Sequence, residues 1–258
     1  MQPLPALPRT PSFRLDGRRA LVTGAGRGIG HAAAVALAEA GATVTLLARN
    51  REEIEAVAAA IRAAGGAVDA LACDILDLAA LQPELASREP FDILVNNAGT
   101  NRPASFLDVS PEQFDAVFDL NVRAAFFVAQ TVACGLVAAG RPGAIINMTS
   151  QMGHVGAMRR SVYCASKHAL EGLTKAMALD LAPHRIRVNS LAPTFIETPL
   201  TRPYFEDPAF RASVLEKIKL GRIGRVEDLM GAVVFLASDA SALMTGASLL
   251  VDGGWTAE

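Results

Sequence analysis

Short apolar segments alternate with helix-like segments along the chain, and this alternation restricts the possible folds more than any other feature. RRALVTG (18–24) and ATVTLLAR (42–49) are compact, strand-like apolar runs. HAAAVALAEAG (31–41) and REEIEAVAAAIRAAGG (51–66) contain good helix formers and end at glycine. Strands that are apolar on both faces and are joined by helices are typical of a parallel sheet covered on both sides. The pattern therefore predicts an α/β, doubly wound fold.

No composition break or linker divides the 258 residues, so we predict a single domain. It spans 14–258, after a proline-rich arm at 1–13. A segment at about 194–220 follows a strand-like run and precedes the last helix. It is long enough to act as a lid over a binding site.

The charge and cysteine content argue against several classes of function. The net charge is −2, which gives neither a nucleic-acid footprint nor a polybasic membrane anchor. Cys73, Cys134 and Cys164 form no metal or disulfide pattern, and this fits a reducing cytoplasm. Residues 1–13 have no apolar core of the kind found in secretory signals. We therefore expect a cytoplasmic protein with a small-molecule substrate, no bound metal, no nucleic acid and no membrane.

One apolar stretch requires a separate explanation. AAFFVAQTVACGLVAAG (124–140) carries no charged residue, but it is at or below the lower limit for a bilayer span, and Gln130 and Thr131 interrupt it. A helix that is apolar on most faces is buried on more than one side. We expect it to lie between its own sheet and a partner subunit.

The loop VTGAGRGIG (22–30) joins the first strand to the first helix. Its key glycines are Gly24, Gly28 and Gly30, in the spacing G-x-x-x-G-x-G. A P-loop is excluded because no Gly-Lys pair follows at the required distance. Glycines here allow a tight turn and let the backbone approach a pyrophosphate at the helix N-terminus. The loop indicates dinucleotide binding.

The end of the second strand indicates which dinucleotide. NAD-binding chains carry an acid about 20 residues after the glycines, which binds the ribose 2′-hydroxyl. Here Arg49 occupies that region, and Arg27 lies inside the glycine loop. Two guanidiniums suit a 2′-phosphate. We infer NADP(H), with NAD(H) as the alternative.

Tyr163 and Lys167 are four residues apart on a predicted helix, so they share one face. Ser150 ends the fifth strand, where open α/β sheets bind ligands. A phenol titrates near pH 10 in water, and we expect the nearby ammonium to lower that value. Ser150 can hold a carbonyl or alcohol oxygen in line with the phenol. With a nicotinamide, this set suffices for coupled hydride and proton transfer.

TGAGRGIG (23–30), NNAG (96–99), Asn121, Ser150 and YCASK (163–167) together resemble the classical short-chain dehydrogenase/reductase family. The resemblance covers residues 14–256 and implies a seven-stranded Rossmann sheet. It implies a homotetramer in which the uncharged stretch lies at an interface. It also implies a catalytic set of Asn121, Ser150, Tyr163 and Lys167, in which the asparagine holds a water that connects the lysine to solvent.

The resemblance also implies a cofactor-binding set. In it Asp74 contacts the adenine, and Asn97 contacts the adenosine ribose and supports the sheet. The full set comprises Gly24, Arg27, Gly28, Ile29, Gly30, Arg49, Asp74, Ile75, Asn97, Ala98, Gly99, Tyr163, Lys167, Pro193, Ile196 and Thr198. One departure is Thr194, where the family usually has glycine. Because threonine does not readily adopt positive φ, we expect a different local backbone there.

The substrate is the least constrained part of the prediction. Arg102, Gln151 and His154 lie in loops that should face it. The segments NNAGTNRP (96–103) and PTFIETPLTRP (193–203) resemble the gluconate-dehydrogenase-like branch, which implies a sugar acid, a polyol or a similar hydroxy or keto compound. A 3-oxoacyl-thioester reductase that docks an acidic carrier on Arg102, Arg159 and Arg160 is the alternative. A non-catalytic dinucleotide sensor is a third reading, against which the intact Ser, Tyr and Lys argue.

Overall fold

The computed structural model describes residues 7–257, so the first six residues of the predicted arm lie outside the described part. The strands are β1 Arg19–Thr23, β2 Thr43–Ala48, β3 Val68–Ala72, β4 Ile93–Asn96, β5 Gly143–Met148, β6 Ile186–Pro193 and β7 Ser248–Val251. The helices are α1 Gly28–Glu39, α2 Arg51–Ala63, α3 Leu78–Ala86, α4 Pro111–Phe118, α5 Ala125–Ala138, α6 Ser161–Leu181, α7 Pro208–Lys217 and α8 Glu227–Ala237. A π-helical segment, Asp119–Ala124, joins α4 to α5.

All neighbouring strands pair in parallel, in the order β3-β2-β1-β4-β5-β6-β7. The chain order reverses direction between β1 and β4, and this is the topological switch point where such sheets bind ligands. The predicted doubly wound fold with seven parallel strands is confirmed. All the carboxyl ends therefore lie along the same edge.

The sheet is covered by helices on both faces. Successive strand residues alternate between the two cores: Ala20 and Val22 of β1 pack with α1 and α8, whereas Leu21 packs with α3 and α5. Each of these strand side chains is fully buried. Removing such side chains from water stabilises the fold by about 1.5–3 kcal/mol for each large aliphatic group.

The apolar stretch identified in the sequence forms α5 and covers one sheet face. Val128, Val132 and Leu136 are buried in the core, whereas Phe126 and Val137 are exposed. The continuous helical stretch Pro111–Ala138 is long and apolar enough to cross a membrane by length and composition alone. Because its core-facing side packs on the sheet, we interpret it as the core helix of this domain.

Candidate active site

A cleft runs along the carboxyl ends of the strands at the switch point, and it collects most of the predicted residues. Those that line it are Gly24, Arg27, Gly28, Ile29, Arg49, Asp74, Ile75, Asn97, Ala98, Gly99, Ser150, Gln151, Tyr163, Lys167, Pro193, Ile196 and Thr198. Gly30 and Asn121 lie behind its wall. Arg102 and His154 are not part of the lining. The sheet topology thus unites segments that are widely separated in the chain.

The glycine loop is tightly packed against the β4 end. Gly24 has a φ of +65°, which other residues rarely adopt, so this turn requires glycine. A Cβ on Gly30 would collide with the carbonyl of Gly24 and the amide of Asn97. Asn97 donates its side-chain N–H to the Thr23 carbonyl at 2.9 Å. Glycine is therefore needed at position 30 because the β4 end packs directly against the loop. The loop backbone at Gly24 and Gly28 lines the cleft, where it can contact a pyrophosphate.

Two guanidiniums stand at the far end of the cleft. Arg27 is exposed, and the Arg49 side chain is 74% exposed, with only a 3.8 Å contact between its Nη1 and Asp74 Oδ2. Both are free to bind a phosphate. Glu53 also lines this end, and its Oε2 lies close to Gly26. Glu53 lies inside α2, and no motif in the sequence marks it as a residue of the cleft.

Lys167 is buried and held by the strand next to its helix. Its Nζ donates a hydrogen bond to the Met148 carbonyl at 2.8 Å, at the end of β5. The same nitrogen lies 5.6 Å from the centre of the Tyr163 ring. The pair therefore shares one face of α6, as the spacing predicts, and that face looks into the cleft.

Ser150 begins the short 3-10 turn after β5. Its hydroxyl donates to Gln151 Oε1 at 2.6 Å and accepts from the Met152 backbone N–H at 3.1 Å. These bonds fix the Oγ position beside the cleft. The hydroxyl retains acceptor capacity for a further partner.

Asn121 lies in the π-helical segment and is 1% exposed. Its Oδ1 accepts from the Thr100 N–H at 2.8 Å, and its Nδ2 donates to the Thr100 carbonyl at 2.9 Å and to Ser166 Oγ at 3.1 Å. A Cβ placed on Gly99 would lie 3.1 Å from Asn121 Oδ1 and 3.7 Å from Lys167 Nζ. Asn121 is thus behind Gly99 and close to the lysine. π-helical segments are frequent at functional sites.

The electrostatics correct one expectation. Burial raises the pKa of Tyr163 to about 12, and the interaction with Ser150 only partly opposes this. Burial also lowers the pKa of Lys167 to about 8, against the effect of Glu171. We expected the ammonium to lower the pKa of the phenol, but burial dominates it, and the groups that lower it are Ser150 and Arg160 rather than Lys167. Tyr163 is therefore held as a proton donor at neutral pH.

The loop residues chosen for substrate contact have different environments. Gln151 is 1% exposed and lines the cleft. His154 instead contacts the Ser248 hydroxyl at 2.9 Å and Glu171 Oε1 at 3.3 Å, behind α6. Arg102 is exposed outside the cleft. Of the three residues predicted to contact the substrate, Gln151 lines the cleft, whereas His154 and Arg102 lie outside it.

The predicted docking patch for an acidic carrier is only partly exposed. Arg160 is 8% exposed, and its guanidinium lies 5.4 Å from the centre of the Tyr204 ring. Arg159, by contrast, is exposed. A buried guanidinium under an aromatic ring is not available to a large anionic partner. The carrier-docking alternative therefore loses one of its three arginines.

The segment after β6, which the sequence analysis predicts to be a lid, contributes residues that the sequence did not single out. Tyr204, Phe195 and Leu200 line the cleft from the segment after β6. Thr194 is also in the wall, and its N–H donates to the Val251 carbonyl at 3.2 Å. Its φ is not positive, so the strand pairing continues past β6 and the threonine fits there without left-handed strain.

Comparison with known proteins agrees with this geometry. A family model described as "Enoyl-(Acyl carrier protein) reductase" matches residues 24–256. D-erythrulose reductase from Gallus gallus is 43% identical over 245 residues, which cover 95% of this chain and 98% of that protein. Gluconate 5-dehydrogenase from Gluconobacter oxydans (strain 621H) is 40% identical over 248 residues, covering 95% and 96% of the two chains.

A solved structure extends the agreement to three dimensions. The gluconate 5-dehydrogenase from Burkholderia cenocepacia J2315, in complex with NADP and tartrate, superposes with a TM-score of 0.91. It is 42% identical, and the match covers 95% of this chain and 98% of that one. The glycine loop, the Tyr–Lys helix and these matches lead to one conclusion: the chain belongs to the short-chain dehydrogenase/reductase family of nicotinamide-dependent oxidoreductases.

Proposed function

We propose that the protein transfers a hydride between NADP(H) and a carbonyl or secondary alcohol of a polyhydroxylated compound, such as a sugar, polyol or sugar acid. The observation that carries the substrate class is a set of unsatisfied polar atoms. Gln151 Nε2, Asn101 Oδ1 and Thr194 Oγ1 are buried without a hydrogen-bond partner, and all three residues line the cleft. Buried polar atoms normally have partners, and we infer that a ligand bound in the cleft supplies them for these three residues.

The relatives support the same class. Their names include D-erythrulose reductase, L-xylulose reductase and gluconate 5-dehydrogenase. Each name refers to a small, hydroxyl-rich compound. An unsatisfied donor beside Ser150 suits such a compound better than a plain aliphatic ketone, because the ligand hydroxyl restores the missing bond.

The cleft also fits the proposed cofactor. The open glycine loop can receive a pyrophosphate, and the exposed Arg27 and Arg49 can receive a 2′-phosphate. Structures with bound NADP are among the similar proteins. When bound, the nicotinamide supplies or accepts the hydride.

The protein supplies the proton and the orientation. In reduction, the Ser150 hydroxyl turns from Gln151 Oε1 to donate a hydrogen bond to the substrate carbonyl oxygen, and Tyr163 donates its phenolic proton to that oxygen. Lys167 stands beside the phenol and stabilises the phenolate that remains. Asn121 holds the loop at Thr100 behind the lysine. The reverse order of proton transfer serves oxidation.

A turnover screen tests this function. Purified protein is assayed with NADPH and NADH against ketoses, sugar acids, cyclic ketones and 3-oxoacyl thioesters, and with NADP⁺ against polyols. We expect the highest kcat/KM for a hydroxyl-rich compound with NADP(H). Preferential turnover of a 3-oxoacyl thioester would refute the substrate class, and NADPH binding without any turnover would favour a sensor.

Replacing Gln151 by leucine should raise KM for the preferred hydroxyl-rich substrate by about 10- to 100-fold. The leucine leaves a ligand hydroxyl without its donor, which costs about 1–3 kcal/mol. The measurement is steady-state kinetics with that substrate and, as a control, with a ketone that lacks neighbouring hydroxyls. An equal rise in KM for both substrates would show that the change acts through Ser150 rather than through the substrate hydroxyl.

We also propose a homotetrameric cytoplasmic enzyme with α4 and α5 at one interface. Phe114 on α4 is 42% exposed, and Phe126 and Val137 on α5 are each 39% exposed. Light scattering should give the mass of four chains. Val137→Glu should reduce that mass, because the charge cannot be buried cheaply in an apolar interface. Glu55→Lys, an exposed change on α2 outside the proposed interface, is the control; a wild-type monomer would contradict the proposal.

A further inference from the structure

Glu171 is a buried acid beside the catalytic lysine, and the reaction described above does not use it. It lies one helical turn after Lys167 on α6 and is 7% exposed. An isolated buried carboxylate is strongly disfavoured, so its partners are informative. Within the described residues, no arginine or lysine forms an ion pair with it.

Three hydroxyls from three adjacent strands converge on this carboxylate. Thr149, directly after β5, donates to Oε1 at 2.6 Å, and Ser190 of β6 donates to Oε2 at 2.7 Å. Ser248 of β7 donates to Oε1 at 3.1 Å. His154 Nε2 completes the cluster at 3.3 Å from Oε1. A group that only accepts hydrogen bonds from all sides is suited to the ionised state.

We propose that Glu171 is a positioning residue for the catalytic pair Tyr163 and Lys167: its carboxylate fastens α6 to Thr149 after β5, to the middle of β6 and to the start of β7, and it keeps Lys167 positively charged. The inference rests on the proposed function and names a role that Tyr163, Lys167 and Ser150 do not fill. Thr149 directly precedes Ser150, so the same bond fixes the Ser150 strand end against the helix that carries Tyr163.

The charge effect has a defined direction. A nearby negative charge favours the charged ammonium, and it is the influence that opposes burial on the pKa of Lys167. Removing that charge must lower the pKa of Lys167 further. An activity or binding property that needs the ammonium will then be lost at lower pH than in the wild type.

The other groups around the pair are few. Among the described residues, the titratable groups that face Glu171 and Lys167 are Tyr163 on the same helix and His154 after the 3-10 turn, and Arg160 and Cys164 in turn act on Tyr163. The packed strands contribute the uncharged hydroxyls of Ser190 and Ser248, and the π-helical segment contributes the uncharged Asn121. Tyr163 and His154 must therefore be controlled in any pH experiment.

The test compares Glu171→Gln with the wild type in two pH profiles between pH 6 and 10. The first is kcat/KM for the best substrate. The second is the dissociation constant of NADPH, measured by fluorescence in the Tyr163→Phe background so that the phenol no longer titrates. We expect the alkaline loss of both to move to lower pH by roughly one unit or more. The binding profile decides the inference even if no substrate is turned over.

Matched variants separate charge from packing. Ser190→Ala removes one hydroxyl but keeps the carboxylate, and His154→Gln removes the second titratable group; both should keep the alkaline loss at the wild-type pH. If the Glu171→Gln protein folds and its two pH profiles show no shift from the wild-type profiles, the proposal is overturned. This holds whether or not the profiles change with pH. If that variant does not fold, Glu171→Asp decides: with the charge retained, kcat should fall without a pH shift, and a displaced profile overturns the proposal.

Discussion

Replacing Tyr163 by phenylalanine should lower kcat by at least about 10²- to 10⁴-fold, the range that a positioned proton donor contributes. The change removes one hydroxyl and leaves the ring, so the packing of α6 is preserved. NADPH affinity should change by only a few-fold, because the glycine loop and the arginines are untouched. The measurement combines steady-state kinetics with a fluorescence titration of NADPH.

The chain offers a matched control for this experiment. Tyr204 is the second of its two tyrosines and also lines the cleft, but it lies in the segment after β6 and against Arg160. Tyr204→Phe removes the same atom from the same type of residue and should keep kcat within about tenfold. If Tyr163→Phe retained more than a few per cent of the activity, the assignment of the proton donor would be wrong.

Changing Arg49 to aspartate should reverse the cofactor preference. The loss of a charge-assisted hydrogen bond to a phosphate costs about 1.5–3 kcal/mol, or about 10- to 150-fold in kcat/KM with NADPH. The new carboxylate repels the 2′-phosphate and can bind a free 2′-hydroxyl, so kcat/KM with NADH should rise. Glu53 already lies at this end of the cleft, and it adds to the repulsion.

The control for the cofactor switch is Arg51→Asp. Arg51 is exposed at the start of α2 and does not line the cleft, so the variant has the same net charge without the local contact. It should leave the NADPH/NADH ratio of kcat/KM within a few-fold of the wild type. A wild-type enzyme that prefers NADH would contradict the assignment of Arg27 and Arg49.

The sequence predicts those parts of the site that follow from backbone geometry. The glycines of the first turn, the Tyr163–Lys167 spacing and the position of Ser150 at a strand end depend on local rules, and the cleft brings these segments together. His154 could not be placed in this way. Its direction depends on a short turn and on Ser248, a residue almost a hundred positions later in the chain.

The role of Glu171 illustrates a second limit. Its hydroxyl partners come from three strands that are neighbours only because of the sheet order, so no local pattern marks the cluster. The raised pKa of Tyr163 likewise depends on residues brought together by the fold, which no local pattern marks. The i, i+4 spacing shows that an ammonium is near, but the burial of the phenol depends on the assembled tertiary structure.

The π-helical segment between α4 and α5 has a consequence for insertions and deletions. It contains more residues per turn than an α-helix, so it sets the rotation of α5 relative to α4. Deleting one residue from 119–124 would restore ordinary helical winding and rotate everything downstream by about 100°. The apolar side of α5 would then turn from the sheet, and Asn121 would leave Thr100. We therefore expect sequence length to be as strictly constrained here as residue identity.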